Sequence, residues 1–355
     1  MLSTGILQRV NRQTLTQHWR WLAVSAVSVF TLTIFLLGHD RTGPPPKNYQ
    51  ELLLSTSNAN NCSNAIVIAG SSRLARTLQD SERRYEHMLV ERDKIIIKSG
   101  GYGINAFGPK HVLANLLWDY FIPAFSCPFP MYRVGSIAEG GKWLCGVERV
   151  LHHRPNCLVY SLNHRTPSSS YSSFEKDMLE RSPGCQIHVF SPNSTTKSRS
   201  HWPFGDTSHT ESELLKPRVH FNQFALADPN ADRYRSLRSV MHTFKHDWID
   251  VVQMDLAGAE FATLLSIIDD YQDEPLPFGQ LVLTVNVGVS DDMRKVSQFS
   301  EWWTRLECAG LRPYYFEVSM KDVNNRRLEP SIVYWSFMNL RGRHALLDDR
   351  LPDYP

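Results

Sequence analysis

The chain has little charge of either sign to spare. Its 38 lysines and arginines stand against 36 aspartates and glutamates, a net +2 over 355 residues. No basic run stands out locally, so the electrostatic footprint of a nucleic-acid binder is missing. Histidine and cysteine never fall at the spacing of zinc ligands. Aspartates pair as neighbours at Asp269-Asp270, Asp291-Asp292 and Asp348-Asp349, without the D-x-D triplet that an anchored glycosyltransferase would want. No G-x-G-x-x-G follows the first strand-like run of the α/β region, which removes the dinucleotide fingerprint. Apolar residues at 42% and charged residues at 21% are ordinary for a globular protein. The length allows one large domain with appendages or two small ones.

What is present begins at the N-terminus. Trp21 to Leu37, WLAVSAVSVFTLTIFLL, carries no charge. As a helix it would span roughly 25 Å, short but sufficient for a thin bilayer. Arg9, Arg12 and Arg20 precede it, and the first acid, Asp40, follows it. That asymmetry predicts a cytoplasmic tail over 1–20, a transmembrane signal anchor over 21–38 and a lumenal bulk. A cleaved signal peptide would want a small-x-small site, and LLGHDRTG is a poor one. A buried core helix is the other alternative for an apolar run of this length. The proline run Pro44 to Pro46 then opens a stem over 39–72. Asn61-Cys62-Ser63 and Asn193-Ser194-Thr195 fit the glycosylation sequon, consistent with a glycoprotein of the Golgi or endoplasmic reticulum. The six cysteines are either disulfides of an oxidising lumen or buried thiols.

The main domain is expected over 73–345, with a tail over 346–355. Arg73 to Lys98 reads as an amphipathic helix with Leu74, Leu78, Tyr85 and Leu89 near one face. From Cys157 onward strands and helices alternate. Strands are expected at 157–162, 186–190, 219–226, 249–256 and 280–287. Helices are expected at 172–181, 234–244, 259–271 and 297–310. Two final strands, 313–318 and 331–338, with a charged loop and no helix between them, form an antiparallel pair. Alternating units imply a mostly parallel sheet covered on both faces. The fold class is thus α/β, with a terminal antiparallel hairpin and one transmembrane helix ahead of it. Ligands of such sheets bind outside the carboxyl ends of the strands, near the switch in strand order. Cys157 and Cys185 lie at the same end of neighbouring parallel strands, about 4.8 Å apart, and are expected to form a disulfide.

Several segments resemble one family. Arg133-Val134-Gly135 with Glu139-Gly140-Gly141-Lys142-Trp143-Leu144-Cys145, the strand Cys157 to Ser161, Ser173-Phe174-Glu175, Gly184 to Phe190, and Met254-Asp255-Leu256-Ala257-Gly258-Ala259-Glu260-Phe261 are similar, in order, to segments of the methyltransferase-like 24 family. The last is shared more loosely with FkbM-type methyltransferases. The resemblance covers roughly Tyr85 to Asn339. It implies a class I methyltransferase-like fold and S-adenosylmethionine as cofactor. It implies cofactor contacts from Glu139, Gly140, Gly141, Lys142, Trp143, Ser161, Asn163, Ser191 and Asp255. Three positions depart from the family pattern: Asn163 replaces a glycine, Ser191 an aspartate and Ala257 a glutamate. A serine accepts hydrogen bonds from ribose hydroxyls more weakly than a carboxylate does. Asp255 is either a catalytic base that positions the acceptor or a helix N-terminal acid favoured by the dipole. Glu139 to Trp143 is either a cofactor-covering loop or a tight turn with a packing tryptophan. No metal ligand set is visible. No N/D-P-P-Y/F segment follows the fourth strand, which argues against methylation of nucleic-acid bases.

The expected function is a secretory-pathway methyltransferase acting on a small molecule, a glycan or a protein. The alternative is a degenerate methyltransferase-like membrane protein that serves as a binding module. The topology is open to direct test. Protease added to sealed microsomes should clip only the short basic tail and leave the large domain intact; digestion of that domain would overturn the anchor reading.

Overall fold

The structure is a computed structural model that describes residues 62, 66, 68–107, 117–137, 140–153, 156–163, 173–192, 216–325 and 329–351. The expected anchor over 21–38 and both sequon asparagines lie outside the described residues. Among the described residues, no helix is long and apolar enough to cross a membrane.

A long helix, α1 (Arg73–Lys98), opens the body. Ser72 starts it by accepting the Ala75 N–H on its side-chain oxygen at 2.9 Å. A short helix α2 (Leu117–Tyr120) follows, then a hairpin of β1 (Met131–Val134) and β2 (Lys142–Cys145), and helix α3 (Val147–His153). The α/β part runs β3 (Leu158–Asn163), α4 (Ser173–Arg181), β4 (Gln186–Phe190), β5 (Val219–Asn222), β6 (Ala225–Leu226), β7 (Tyr234–Arg235), α5 (Leu237–Phe244), β8 (Ile249–Asp255), α6 (Glu260–Asp270), β9 (Phe278–Asn286), α7 (Val296–Cys308), β10 (Leu311–Val318), α8 (Met320–Asn325) and β11 (Ile332–Asn339).

Seven strands form one sheet in the order β10-β11-β9-β8-β3-β4-β5. Neighbours from β9 through β5 are parallel, while β11 runs antiparallel between β9 and β10. The expected mostly parallel sheet with a terminal antiparallel pair is therefore present. One detail differs: the short helix α8 stands between β10 and β11, where the sequence suggested only a charged loop. The inner strands β3 and β9 are buried at every residue, which is why they read as near-continuous apolar runs. From β3 the chain winds outward through β4 to β5, then returns to β8 on the other side and continues to β9. The order reverses between β3 and β8, and their carboxyl ends lie side by side.

One face of the sheet packs against α5, α6 and α7 through Val240, Phe261, Leu264, Phe299 and Trp303. The other packs against the β1–β2 hairpin, α3 and α4 through Leu144, Val147, Phe174 and Met178. The helix α1 lies against a third cluster with Tyr314, Met338 and Leu346. Residues flanking the expected 73–345 domain share in that packing. Cys62 is bonded to Cys308, and Ile66, Ile68 and Leu351 rest on the third cluster. Arg149 donates to the carbonyls of Ala345, Asp348 and Leu351. The chain's six cysteines form three disulfides, Cys62–Cys308, Cys127–Cys145 and the expected Cys157–Cys185, whose Cα atoms are 4.4 Å apart.

The helix α1 is fixed by buried charge as well as by apolar area. Arg92 donates to both Glu307 oxygens, at 2.9 and 3.2 Å, and the Tyr85 hydroxyl donates to Glu307 at 2.6 Å. Arg312 donates to Glu82 and stands over the Tyr85 ring. Burial alone would raise the Glu307 carboxyl. Arg92 outweighs it, helped by Tyr85 and Arg312, and the group sits below its ordinary value. Its stabilising contribution is thus present above the unfolded carboxylate range and is lost as pH falls through the depressed folded value. Glu307→Ala would leave Arg92 buried without its partner and should cost about 3–5 kcal/mol. Urea unfolding at neutral pH checks this; a loss under about 1 kcal/mol, typical of an exposed pair, would contradict it.

Candidate functional site

At the switch point the register aligns Asn163 of β3 with Asp255 of β8. Side chains alternate along a strand, so Ser161 and Asn163, Gln253 and Asp255, and Thr284 and Asn286 share the face that carries Val159, Val251 and Val282. A polar layer thus replaces the apolar core near the carboxyl ends, under the hairpin and α4. The Ser161 hydroxyl lies 2.7 Å from Glu175 Oε1 and 2.8 Å from Gln253 Oε1. One hydroxyl proton cannot serve two acceptors. Either Glu175 is protonated or the Gln253 amide turns its NH₂ to the serine. Burial pushes the Glu175 carboxyl up, against the Ser161 bond and the positive charge of Lys142. Its second oxygen is buried with no hydrogen-bond partner among the described residues.

The hairpin sets Lys142 over this layer. Its turn is held by backbone contact with α4. The Gly135 N–H donates to Asp177 at 2.7 Å and the Ser136 N–H to the Ser173 hydroxyl at 3.1 Å. A side chain on Gly135 would meet the Phe174 backbone, and one on Gly141 would lie 2.2 Å from the Ser136 carbonyl oxygen. The two glycines are therefore required by close approach. Lys142 is 5% exposed. Its Nζ donates to Thr284 Oγ1 at 3.3 Å and stands 3.9 Å from the centre of the Tyr334 ring. Burial pulls this ammonium down to about 8, opposed by Asp255, Glu175 and Glu317.

The loop after β8 is the strained element. Ala257 has φ 53° and Gly258 φ 114°. A side chain on Gly258 would collide with Val289 at 2.2 Å. Glu260, fully buried, holds the loop. Its two oxygens accept the Gly258 and Asn286 N–H groups, each at 2.6 Å. Burial raises its carboxyl to about 7, although these amide bonds act the other way. Glu260 thus ties the ends of β8 and β9 together, beside the half-buried Asp255.

The residues expected to touch a cofactor are distributed as follows. Lys142, Ser161, Asn163 and Asp255 meet at or just beneath the β3–β8 crevice. Ser191 follows β4, and its buried hydroxyl finds no partner among the described residues. Gly140, with φ 80°, turns the hairpin. Trp143 packs on Tyr315, ring centres 4.9 Å apart, and its carbonyl accepts the Ser336 hydroxyl at 2.8 Å. Glu139 lies outside the described residues. Glu175, Gln253 and Thr284 are not among the residues expected to form the site; period-two alternation along the strands was the available signal for the last two. Three histidines are grouped elsewhere: His220 and His246 flank buried His188, with ring centres 4.5 and 4.8 Å away. His246 Nδ1 lies 2.6 Å from the Tyr160 hydroxyl. They occupy the opposite face, and among the described residues no group of histidine, cysteine and acid could hold a metal.

The crevice thus offers orphaned buried oxygens at Glu175 and Ser191, one buried ammonium and one strand-end carboxylate. This donor set suits a ligand with hydroxyls and both charges, as S-adenosylmethionine has. A protein-family profile described as a methyltransferase domain matches residues 109–311. No curated protein matches the chain. Among solved structures, the chain is similar to N,N-8-amino-8-demethyl-D-riboflavin dimethyltransferase (RosA) from Streptomyces davawensis, at 10% identity, TM-score 0.26, covering 54% of this chain and 53% of that one. It is also similar to fibrillarin of Aeropyrum pernix, solved with bound S-adenosyl-L-methionine, at 10% identity, TM-score 0.31, covering 60% and 87%. The first match spans about half the length of RosA. The loop's dependence on Glu260 has a local readout. Glu260→Ala should leave two buried N–H groups unpaired, and hydrogen exchange at the Gly258 and Asn286 amides should quicken by orders of magnitude. Unchanged protection there would contradict the clamp.

Proposed function

The chain belongs to a methyltransferase-domain family, and from that premise we propose that it transfers the methyl group of S-adenosylmethionine to an oxygen or nitrogen of an acceptor in the secretory pathway. The observation that carries this reading is the polar crevice at the switch between β3 and β8. It combines orphaned buried oxygens with a strand-end carboxylate. When bound, the cofactor supplies an electrophilic methyl on a sulfonium. The chain's part is alignment and proton removal. Asp255 is the side chain proposed to orient the acceptor and take its proton. The backbone of the Ala257–Gly258 turn, held by Glu260, keeps Asp255 at the rim.

The lumenal setting is supported by pairing of all six cysteines, since disulfides persist in oxidising compartments. The charge asymmetry around 21–38 supports a single-pass anchor with the domain lumenal. Acceptors in that setting include small molecules, glycans and protein side chains. A second reading is favoured by one observation. Ser191 stands where a charged ribose acceptor is expected, and its hydroxyl is uncharged and buried. On that reading the domain is a binding module that has lost its cofactor.

Thermal unfolding of the secreted lumenal domain separates the two. A ligand at a hundred times its dissociation constant stabilises by about 2.7 kcal/mol. Saturating S-adenosylmethionine or S-adenosylhomocysteine should therefore raise Tm by several degrees. No shift with either, in protein whose disulfides are intact, would contradict the enzyme reading and favour the module.

A further inference from the structure

Lys142 is an unusual residue to find where it is. A lysine with its ammonium buried is costly unless something compensates its charge. Three carboxylates act on it, Asp255, Glu175 and Glu317, and one cation, Arg133, opposes them. Glu317 is already taken, since Arg133 donates to it at 2.6 Å. Glu175 is engaged through one oxygen by Ser161, and its other oxygen has no partner among the described residues. The direct contacts of the ammonium are the Thr284 hydroxyl and the face of Tyr334. What remains at the crevice is one buried positive group, one buried carboxylate with a free oxygen, and the half-buried Asp255.

That pattern is the complement of a zwitterion. An α-amino acid group presents a carboxylate and an ammonium on one carbon. A lysine answers the first as a compact charge with rotatable donors. A carboxylate with an open oxygen answers the second through charge-assisted hydrogen bonds. Both partners are already desolvated, so the ligand's charges would meet them in a low-dielectric site, where such bonds are strongest. Resting on the methyltransferase reading above, we infer that Lys142 and Glu175 form the subsite for the amino-acid end of the cofactor, Lys142 receiving its carboxylate and Glu175 its ammonium. Thr284 and Tyr334 position the lysine: the hydroxyl accepts one of its protons and the ring supports the charge from below. The adenosine end is left to the rim nearer β4, where Ser191 stands.

The test uses two ligands that differ in the group at issue. S-adenosylhomocysteine carries the amino acid; 5′-methylthioadenosine keeps the adenosine and sulfur but lacks it. Calorimetry of the full lumenal domain should show that Lys142→Met and Glu175→Gln each weaken S-adenosylhomocysteine about tenfold or more, the loss of one charged hydrogen bond. Affinity for 5′-methylthioadenosine should stay within about twofold in the same variants, which also reports that they remain folded. Lys142→Arg keeps the charge and should recover part of the lost affinity. Equal losses for both ligands, or unchanged binding of S-adenosylhomocysteine by Lys142→Met, would overturn the subsite. Wild-type protein that binds neither ligand would instead overturn the methyltransferase reading on which the subsite rests.

Discussion

The pairing of β3 with β8 is the constraint from which the rest of this structure follows. The chain leaves β3 in one direction and returns to β8 in the other, so the crossovers part above the two carboxyl ends and leave a crevice. Both strands are buried on both faces for most of their length, which fixes their register through Val159, Val251 and their neighbours. Near the ends the same alternation delivers Ser161, Asn163, Gln253 and Asp255 to one face. Water-filled surface would satisfy those groups at no cost. Here the β1–β2 hairpin covers them, so each must find a partner inside the protein or in a ligand.

The hairpin's own position is overdetermined. The close approach of Gly135 to α4, the tight packing of Gly141 against the Ser136 carbonyl within the turn, the disulfide Cys127–Cys145 at the base of β2, and the bonds from the Cys145 N–H to Gln280 and Tyr314 all hold it. Such redundancy suits a strand that must keep a buried lysine over buried carboxylates. The Glu260 clamp does the same for the loop after β8, where Ala257 adopts a left-handed conformation that alanine disfavours. Strain of this kind persists only where neighbouring contacts hold it in place, and here it lies beside the crevice.

Much of the scaffold was legible in the sequence, for physical reasons that can be named. The helix α1 matches its expected bounds because an amphipathic repeat and a capping serine mark it. The strand β4 matches because QIHVF is a short apolar run ended by proline. The stretch expected as a single strand over 219–226 instead breaks after Asn222, and its last two residues pair with β7. The helix expected from Tyr234 starts at Leu237, because the Ser236 side chain caps it by accepting the Ser239 N–H. The crevice was only partly legible. Asp255 and Ser161 are marked by their places at strand ends. Glu175 reads as an ordinary first-turn acid until the hairpin closes over it, and the Cys62–Cys308 bond, with a separation of 246 residues, leaves no local trace. The histidine group was missed although His188 and His220 are register partners on β4 and β5. Juxtaposition, not local pattern, makes these features.

The covered polar crevice between β3 and β8 is proposed as the cofactor site of a methyltransferase. A crystal structure of the domain over residues 62–351 grown with S-adenosylhomocysteine tests this assignment most directly. The ligand is expected across the carboxyl ends of β3 and β8, with its amino acid toward Lys142 and its ribose toward Ser191. Ligand bound on another face, or a crevice closed by protein side chains at saturating ligand, would contradict it.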